Sequence, residues 1–155
     1  MIIDGKKEAL KLRNKIKEEI SLIKNKTQKA PSLVVILIGD FEPSKIYVKN
    51  KEKASKEVGI NSKVVKYPKD VKESEIVKKI LDLNNDKEVS GILVQLPLPK
   101  HINVRNILLE INPKKDVDGF HPMNLGNLIE GNPQFIPCTP HGVIQILKYY
   151  NIPIC

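Results

Sequence analysis

Residues 33–38, Leu-Val-Val-Ile-Leu-Ile, form an unbroken apolar run. The run is far short of the roughly 20 residues a membrane-spanning helix requires. It suits a strand covered on both faces, the position of a strand in the middle of a parallel sheet. Such a strand obliges the rest of the chain to supply a layer on each side. The flanking patterns do so. Before it, Ala9, Leu12, Ile16, Ile20 and Ile23 recur three or four apart among Lys and Glu, which predicts a helix over 6–24. After it, the turn Gly39–Ser44 leads into a helix that runs to about Val58, with Gly59 in the usual C′ position.

The strand–helix cycle recurs twice more. Lys63–Tyr67 reads as a strand and Lys72–Leu83 as a helix, with Ile76, Val77, Ile80 and Leu83 on one side. Val89–Gln95 reads as a third strand, ended by Leu96-Pro97-Leu98-Pro99 and followed by a short helix over Val104–Ile111. Alternation of this kind predicts right-handed βαβ crossovers in an α/β fold: a three-layer α/β/α domain with a small, mainly parallel sheet. Ligands of such sheets sit beyond the carboxyl ends of the strands. The segments expected there are Gly39–Ser44, Gln95–Pro99 and Asn112–Pro122. Residues 112–140 are rich in Pro, Gly and Asn, with a short helix expected near Asn124–Glu130; so long an irregular stretch is usually functional. Thr139-Pro140 then marks a helix start, Thr as N-cap and Pro at N1.

At 155 residues the chain is about one domain long. Its N-terminal residues lack a signal-peptide pattern, so a soluble, cytoplasmic protein is expected, with Cys138 and Cys155 as free thiols. The net charge of +8 raises the question of nucleic acid. All basic residues but Arg13 and Arg105 are lysines scattered along the chain, and aromatics are only 5%. Phosphate and single-strand readers cluster Arg and Lys and interleave aromatics, so no nucleic-acid partner is expected, and no membrane partner either. His101, His121, His141 and Cys138 follow no metal-ligand spacing, so no metal is expected. No Gly-x-Ser-x-Gly elbow and no Gly-x-Gly-x-x-Gly phosphate turn occurs.

Several residues could carry chemistry. Tyr47 and Lys51, four apart, share one helix face just after the first strand's turn. A lysine with an ordinary pKa near 10.4 is a poor base at neutral pH and needs desolvation or nearby cations to become one. Lys45, Lys49, Lys53 and Lys56 lie on the same helix, and a solvated lysine face fits the spacing as well. Gln95 ends an apolar strand, where its amide can orient an ammonium or a polar ring without adding charge, or can simply satisfy nearby backbone. Asp116 and Asp118 could accept paired N–H groups from an amino-pyrimidinone ring. An Asp-Gly turn is the equal alternative.

Taken in order, Ile3-Asp4-Gly5-Lys6, Val34–Gly39, Pro43–Lys51 with its Tyr-x-x-x-Lys, Glu57-Val58-Gly59-Ile60, Gly91–Pro99 with its Val-Gln-Leu-Pro-Leu-Pro, Lys115–Phe120 with its Asp-Val-Asp-Gly, and Pro137–Pro140 resemble one family. It is that of the bifunctional methylenetetrahydrofolate dehydrogenase/methenyltetrahydrofolate cyclohydrolases. The resemblance implies NADP-dependent oxidation of 5,10-methylene- to 5,10-methenyl-tetrahydrofolate and hydrolysis of the latter to 10-formyl-tetrahydrofolate. It implies Lys51 as the catalytic lysine, Tyr47 stacked on the folate ring and Gln95 tuning Lys51. Asp118 would anchor the pterin, and Val94 and Leu96 would add substrate contacts. Tetrahydrofolate derivatives are the implied partners, and a homodimer is compatible with the resemblance. Family members are nearly twice as long. The expected organisation is therefore a folate-binding catalytic domain over 1–137, then a linker helix and the start of an NADP-binding Rossmann domain over 138–155, that domain lying outside these residues. The alternatives are a non-catalytic folate-binding or subunit-interaction module and the substrate domain of another two-domain dehydrogenase. Asp-Val-Asp-Gly and Gln-Leu-Pro-Leu-Pro argue against the second.

Overall fold

The computed structural model describes residues 2–154; Cys155, expected as a free thiol, lies outside the described residues. The elements run α1 (Gly5–Thr27), β1 (Ser32–Ile38), α2 (Glu42–Val58), β2 (Asn61–Tyr67), α3 (Glu73–Asn85), β3 (Gly91–Val94), α4 (Val104–Glu110), α5 (Pro122–Ile129) and α6 (Cys138–Tyr149). The sheet is parallel, in the order β2-β1-β3, so the apolar run forms its central strand.

Alternation along β1 divides the core in two. Val34, Ile36 and Ile38 face Ile76, Ile80 and Leu83 of α3 and Ile107 of α4. Val35 and Leu37, with Leu93 of β3 beside them, pack with Val48 of α2. A strand loaded on both faces therefore has a helical layer on each side, as its composition requires.

The third strand and the last helix are bounded differently from the sequence reading. The third strand covers only Gly91–Val94 rather than Val89–Gln95, because β1 supplies just one further bond at each end: Ser90 N donates to Ser32 O and Gln95 N to Ile36 O, both at 2.9 Å. Helix α6 starts at Cys138 with Pro137 as its N-cap, not at Thr139. Pro140 still falls in the first turn, where its missing N–H costs no helical bond. In α1 only Ile20 is buried, since this helix packs on α2 and α6 instead of on the sheet. Helix α6, expected as a linker, returns to α1: the Tyr150 hydroxyl accepts from Asp4 N at 2.7 Å, and Lys11 Nζ lies 4.4 Å from the Tyr149 ring centroid.

The outer edge of β3 is covered by the segment before α5. Ile92 N donates to Lys115 O at 2.7 Å, and Ile92 and Asp116 form an isolated parallel bridge. Gly91 makes that approach possible, because a Cβ there would run into Val117 Cγ1. Gly91→Ala is expected to lift Val117 and its loop off β3 at a cost of about 1–3 kcal/mol, the usual range for overpacking. A lowered denaturation midpoint together with weaker ligand binding would show it.

Candidate active site

A cleft of about 520 Å³ lies between α2, the end of β3, residues 117–120 and the first turn of α6. Tyr47 and Lys51 enter it from α2, one helical turn apart, while Gln95 and Leu96 come from the end of β3. Asp118 and Phe120 approach from the loop, and Cys138, Thr139 and Pro140 from α6. Four residues expected to act together from three distant stretches of chain thus share one wall-to-wall space.

Lys51 Nζ donates to Gln95 Oε1 at 3.2 Å. The Gln95 amide is held in that orientation from its other end, where Nε2 donates to Leu96 O at 2.8 Å. Ser44 Oγ donates to the same carbonyl at 3.4 Å, tying the start of α2 to the end of β3. The Leu96–Pro97 peptide is cis. A neutral amide therefore presents its oxygen to the lysine, holding the amine without neutralising it. Tyr47 is 63% exposed, so its ring face is free to stack against a planar ligand.

Asp118 sits where charges compete. Burial pushes its carboxyl up from the ordinary value; Lys51 draws it down, and Asp116 pushes it up again. Burial likewise raises the Cys138 thiol, and the negative charge of Asp118 adds to the effect. Cys138 Sγ donates to Val117 O at 3.4 Å. A second clamp comes from Gly119, whose φ of +69° favours glycine and whose absent Cβ would lie 3.1 Å from Pro137 N. The Asp118 loop is thereby pressed onto the residues that lead into α6.

Not every expected residue reaches the cleft. Val94 is buried in the larger core cluster, with Val34 and Ile36, and does not line it. Segment Gly39–Phe41 lines a separate cleft of about 410 Å³ with Lys69 and Pro97–Pro99 at the carboxyl ends of the strands. The site is therefore shifted from the strand ends towards α2 and the β3 edge. Cys138, expected as a free thiol, lines the cleft, as do Leu33, Leu93, Phe120 and Thr139, none of them expected individually as site residues. Leu33 and Leu93 enter from β1 and β3 on the α2 side of the sheet, whereas Phe120 and Thr139 are brought in by chain outside the strands, where no alternation points to them.

The three histidines are engaged locally. His101 Nε2 meets Val71 O at 2.9 Å, His121 Nδ1 accepts from Met123 N at 3.1 Å, and His141 meets Gln145 Nε2 at 2.8 Å. Among the described residues no group of three or more His, Cys, Asp or Glu could hold a metal ion, and no helix is long and apolar enough to cross a membrane. The β1–α2 turn is no cradle for a dinucleotide. The β1–α2 turn carries Asp40 and Glu42, both paired with Lys45, around Phe41, which makes no capping bond. Two carboxylates at that turn repel a pyrophosphate rather than receive it.

Residues 3–118 match the family model described as tetrahydrofolate dehydrogenase/cyclohydrolase, catalytic domain. A bifunctional FolD protein of Pelagibacter ubique is 52% identical over 148 residues, a stretch covering 96% of this chain and 53% of that protein. The FolD protein of Streptococcus thermophilus strain LMD-9 is 47% identical over 154 residues, covering 99% and 54%. Among solved structures, the bifunctional FolD enzyme of Campylobacter jejuni superposes with a TM-score of 0.94 at 45% identity, covering 98% of this chain and 54% of that one. The Trypanosoma brucei FolD, solved with NADP and an inhibitor, gives 0.96 at 33% identity, covering 100% and 53%. The chain spans about half the length of the relatives it matches.

Proposed function

The chain belongs to the tetrahydrofolate dehydrogenase/cyclohydrolase family, and from that membership we propose that its cleft binds tetrahydrofolate derivatives and carries the catalytic half of their one-carbon chemistry. The reactions are oxidation of 5,10-methylene-tetrahydrofolate by NADP and hydrolysis of the 5,10-methenyl product to 10-formyl-tetrahydrofolate. The observation that carries the reading is the Lys51–Gln95 hydrogen bond, made beside Tyr47 and Asp118 in one cleft. A cytoplasmic setting and a homodimer accompany this reading by resemblance.

Asp118 accepts two N–H groups of the pterin ring, an arrangement only a carboxylate provides without a competing donor. Tyr47 stacks on the ring system, and Leu96 closes the apolar side. The methenyl carbon, bridging N5 and N10, then lies within reach of Lys51. Water adds to that carbon and gives up a proton. The carbon–N5 bond opens as the new hydroxyl loses its remaining proton, N5 takes a proton, and the carbon remains on N10 as a formyl group. Lys51 Nζ is the group that moves the proton at the bridge, and Gln95 Oε1 keeps it aimed there. When bound, NADP would supply the hydride acceptor of the oxidation; the β1–α2 turn, with Asp40 and Glu42, does not fit its pyrophosphate.

Hydrolysis of methenyl-tetrahydrofolate by the full 155-residue chain, followed through loss of the methenyl absorbance, tests the proposal. A rate well above buffer is expected. Gln95→Leu should lower it about tenfold or more, the effect of removing one hydrogen bond to a charged or polar partner. A chain that binds tetrahydrofolate yet leaves the buffer rate unchanged would instead be a binding module.

A further inference from the structure

Loop 112–121 delivers Asp118 to the cleft, and its own anchor is a second aspartate. Asp116 is 2% exposed. Its Oδ2 accepts from His121 N at 2.8 Å and from Asn124 Nδ2 at 2.9 Å. Asn124, fully buried on α5, also donates to Pro113 O at 3.0 Å, so a single amide joins both ends of the loop. The Asp116 backbone is fixed as well: its N–H donates to Asn112 O at 3.1 Å, and its carbonyl accepts from Gly119 N at 3.2 Å. A buried carboxylate is a costly way to tether a loop, since a neutral acceptor could take the same two bonds. Among the described residues no lysine, arginine or histidine side chain forms a salt bridge with it. Its charge is therefore available to the nearby Asp118.

We propose that Asp116 is a positioning residue for Asp118: it tethers the loop through His121 and Asn124 and places a second negative charge beside the Asp118 carboxylate. The inference rests on the reading that ionised Asp118 binds the pterin. The titratable groups around Asp118 are Lys51 from α2, Asp116 from its own loop and Cys138 from α6, with Tyr47 on the same cleft wall. Lys51 favours the carboxylate and Asp116 opposes it. Without the Asp116 charge, Asp118 would stay ionised to a lower pH.

The test is anaerobic titration of the full chain with tetrahydrofolate across pH. Asp116→Asn retains an oxygen at the position of Oδ2 for both bonds and removes the charge. It is expected to move the acid limb of binding to lower pH, because a like charge beside Asp118 is gone. Ionisations of the ligand itself are common to both titrations and cancel in the comparison. Asn124→Ala keeps the charge and cuts the tether, so it should weaken binding several-fold at every pH without lowering the limb. An unmoved limb in Asp116→Asn overturns the electrostatic role, and unweakened binding in Asn124→Ala overturns the tether. Asp118→Asn separates the two levels: if it binds tetrahydrofolate as tightly as the natural chain, the pterin reading itself has failed.

Discussion

Replacing Lys51 by methionine is expected to slow methenyl-tetrahydrofolate hydrolysis roughly 10²–10⁴-fold, the range for removing a positioned proton-transfer group, while tetrahydrofolate binding changes far less. Methionine keeps the length and apolar stem of the lysine, so the helix face beside Tyr47 stays filled. The one bond lost is that to Gln95 Oε1. Gln95 is only half-buried, so water can take the vacated place and the cost to folding is about 1 kcal/mol. A loss confined to the chemical step would appear in kcat, with KM nearly unchanged. Lys51→Met and Gln95→Leu act through one bond, so their double variant should be little slower than Lys51→Met alone. A Lys51→Met rate within about fivefold of the natural chain would mean that the proton moves through another group.

The layering of the fold was open to sequence reading because burial leaves a periodic trace. β1 is apolar at every position after Ser32 and sits between helices; α3 carries Ile76, Ile80 and Leu83 at helical spacing, and all three are buried. Strand ends are less legible: β3 pairs only with Leu33–Ile36 although β1 runs on to Ile38, and a single strand's own residues do not encode that. Tyr47, Lys51, Gln95 and Asp118 were found for two reasons. The first two share a helix face, and the others punctuate apolar or turn sequence. Resemblance then bound the four together. Asn124 and Cys138 went unrecognised because their roles depend on how one irregular loop folds back. Asn124 contacts Pro113 and Asp116 across a turn no pattern announces, and Cys138 reaches Val117 only because Gly119 permits close approach. Of the three segments expected beyond the strand ends, Gln95–Pro99 and Asn112–Pro122 send residues into the cleft and Gly39–Ser44 does not. The strand-end rule places ligands by sheet geometry, whereas here the loop covering β3 builds a wall beside the sheet.

Asp118→Asn is expected to push function and stability in opposite directions. On the functional side, the carboxylate that accepts two pterin N–H groups is exchanged for an amide whose NH₂ faces one of those donors. Losing two charge-assisted bonds costs about 3 kcal/mol or more, so affinity for tetrahydrofolate should fall at least about 100-fold. On the folding side, burial raises the Asp118 carboxyl above its ordinary value, and the pull of Lys51 only partly offsets this. In the pH range between the ordinary and the raised value, the folded chain holds more protons than the unfolded one. Stability is therefore lost as pH rises through that window, and the full penalty applies above it. Asparagine carries no charge and escapes the penalty. The variant should melt higher than the natural chain near pH 8, and the two should converge near pH 3, where the unfolded carboxyl is also protonated. Melting curves at the two pH values, run beside a binding titration, test both halves. A variant that melts lower near pH 8 would show that the ionised carboxylate strengthens the fold, and the cleft would then lack the strain that marks it as built for a ligand.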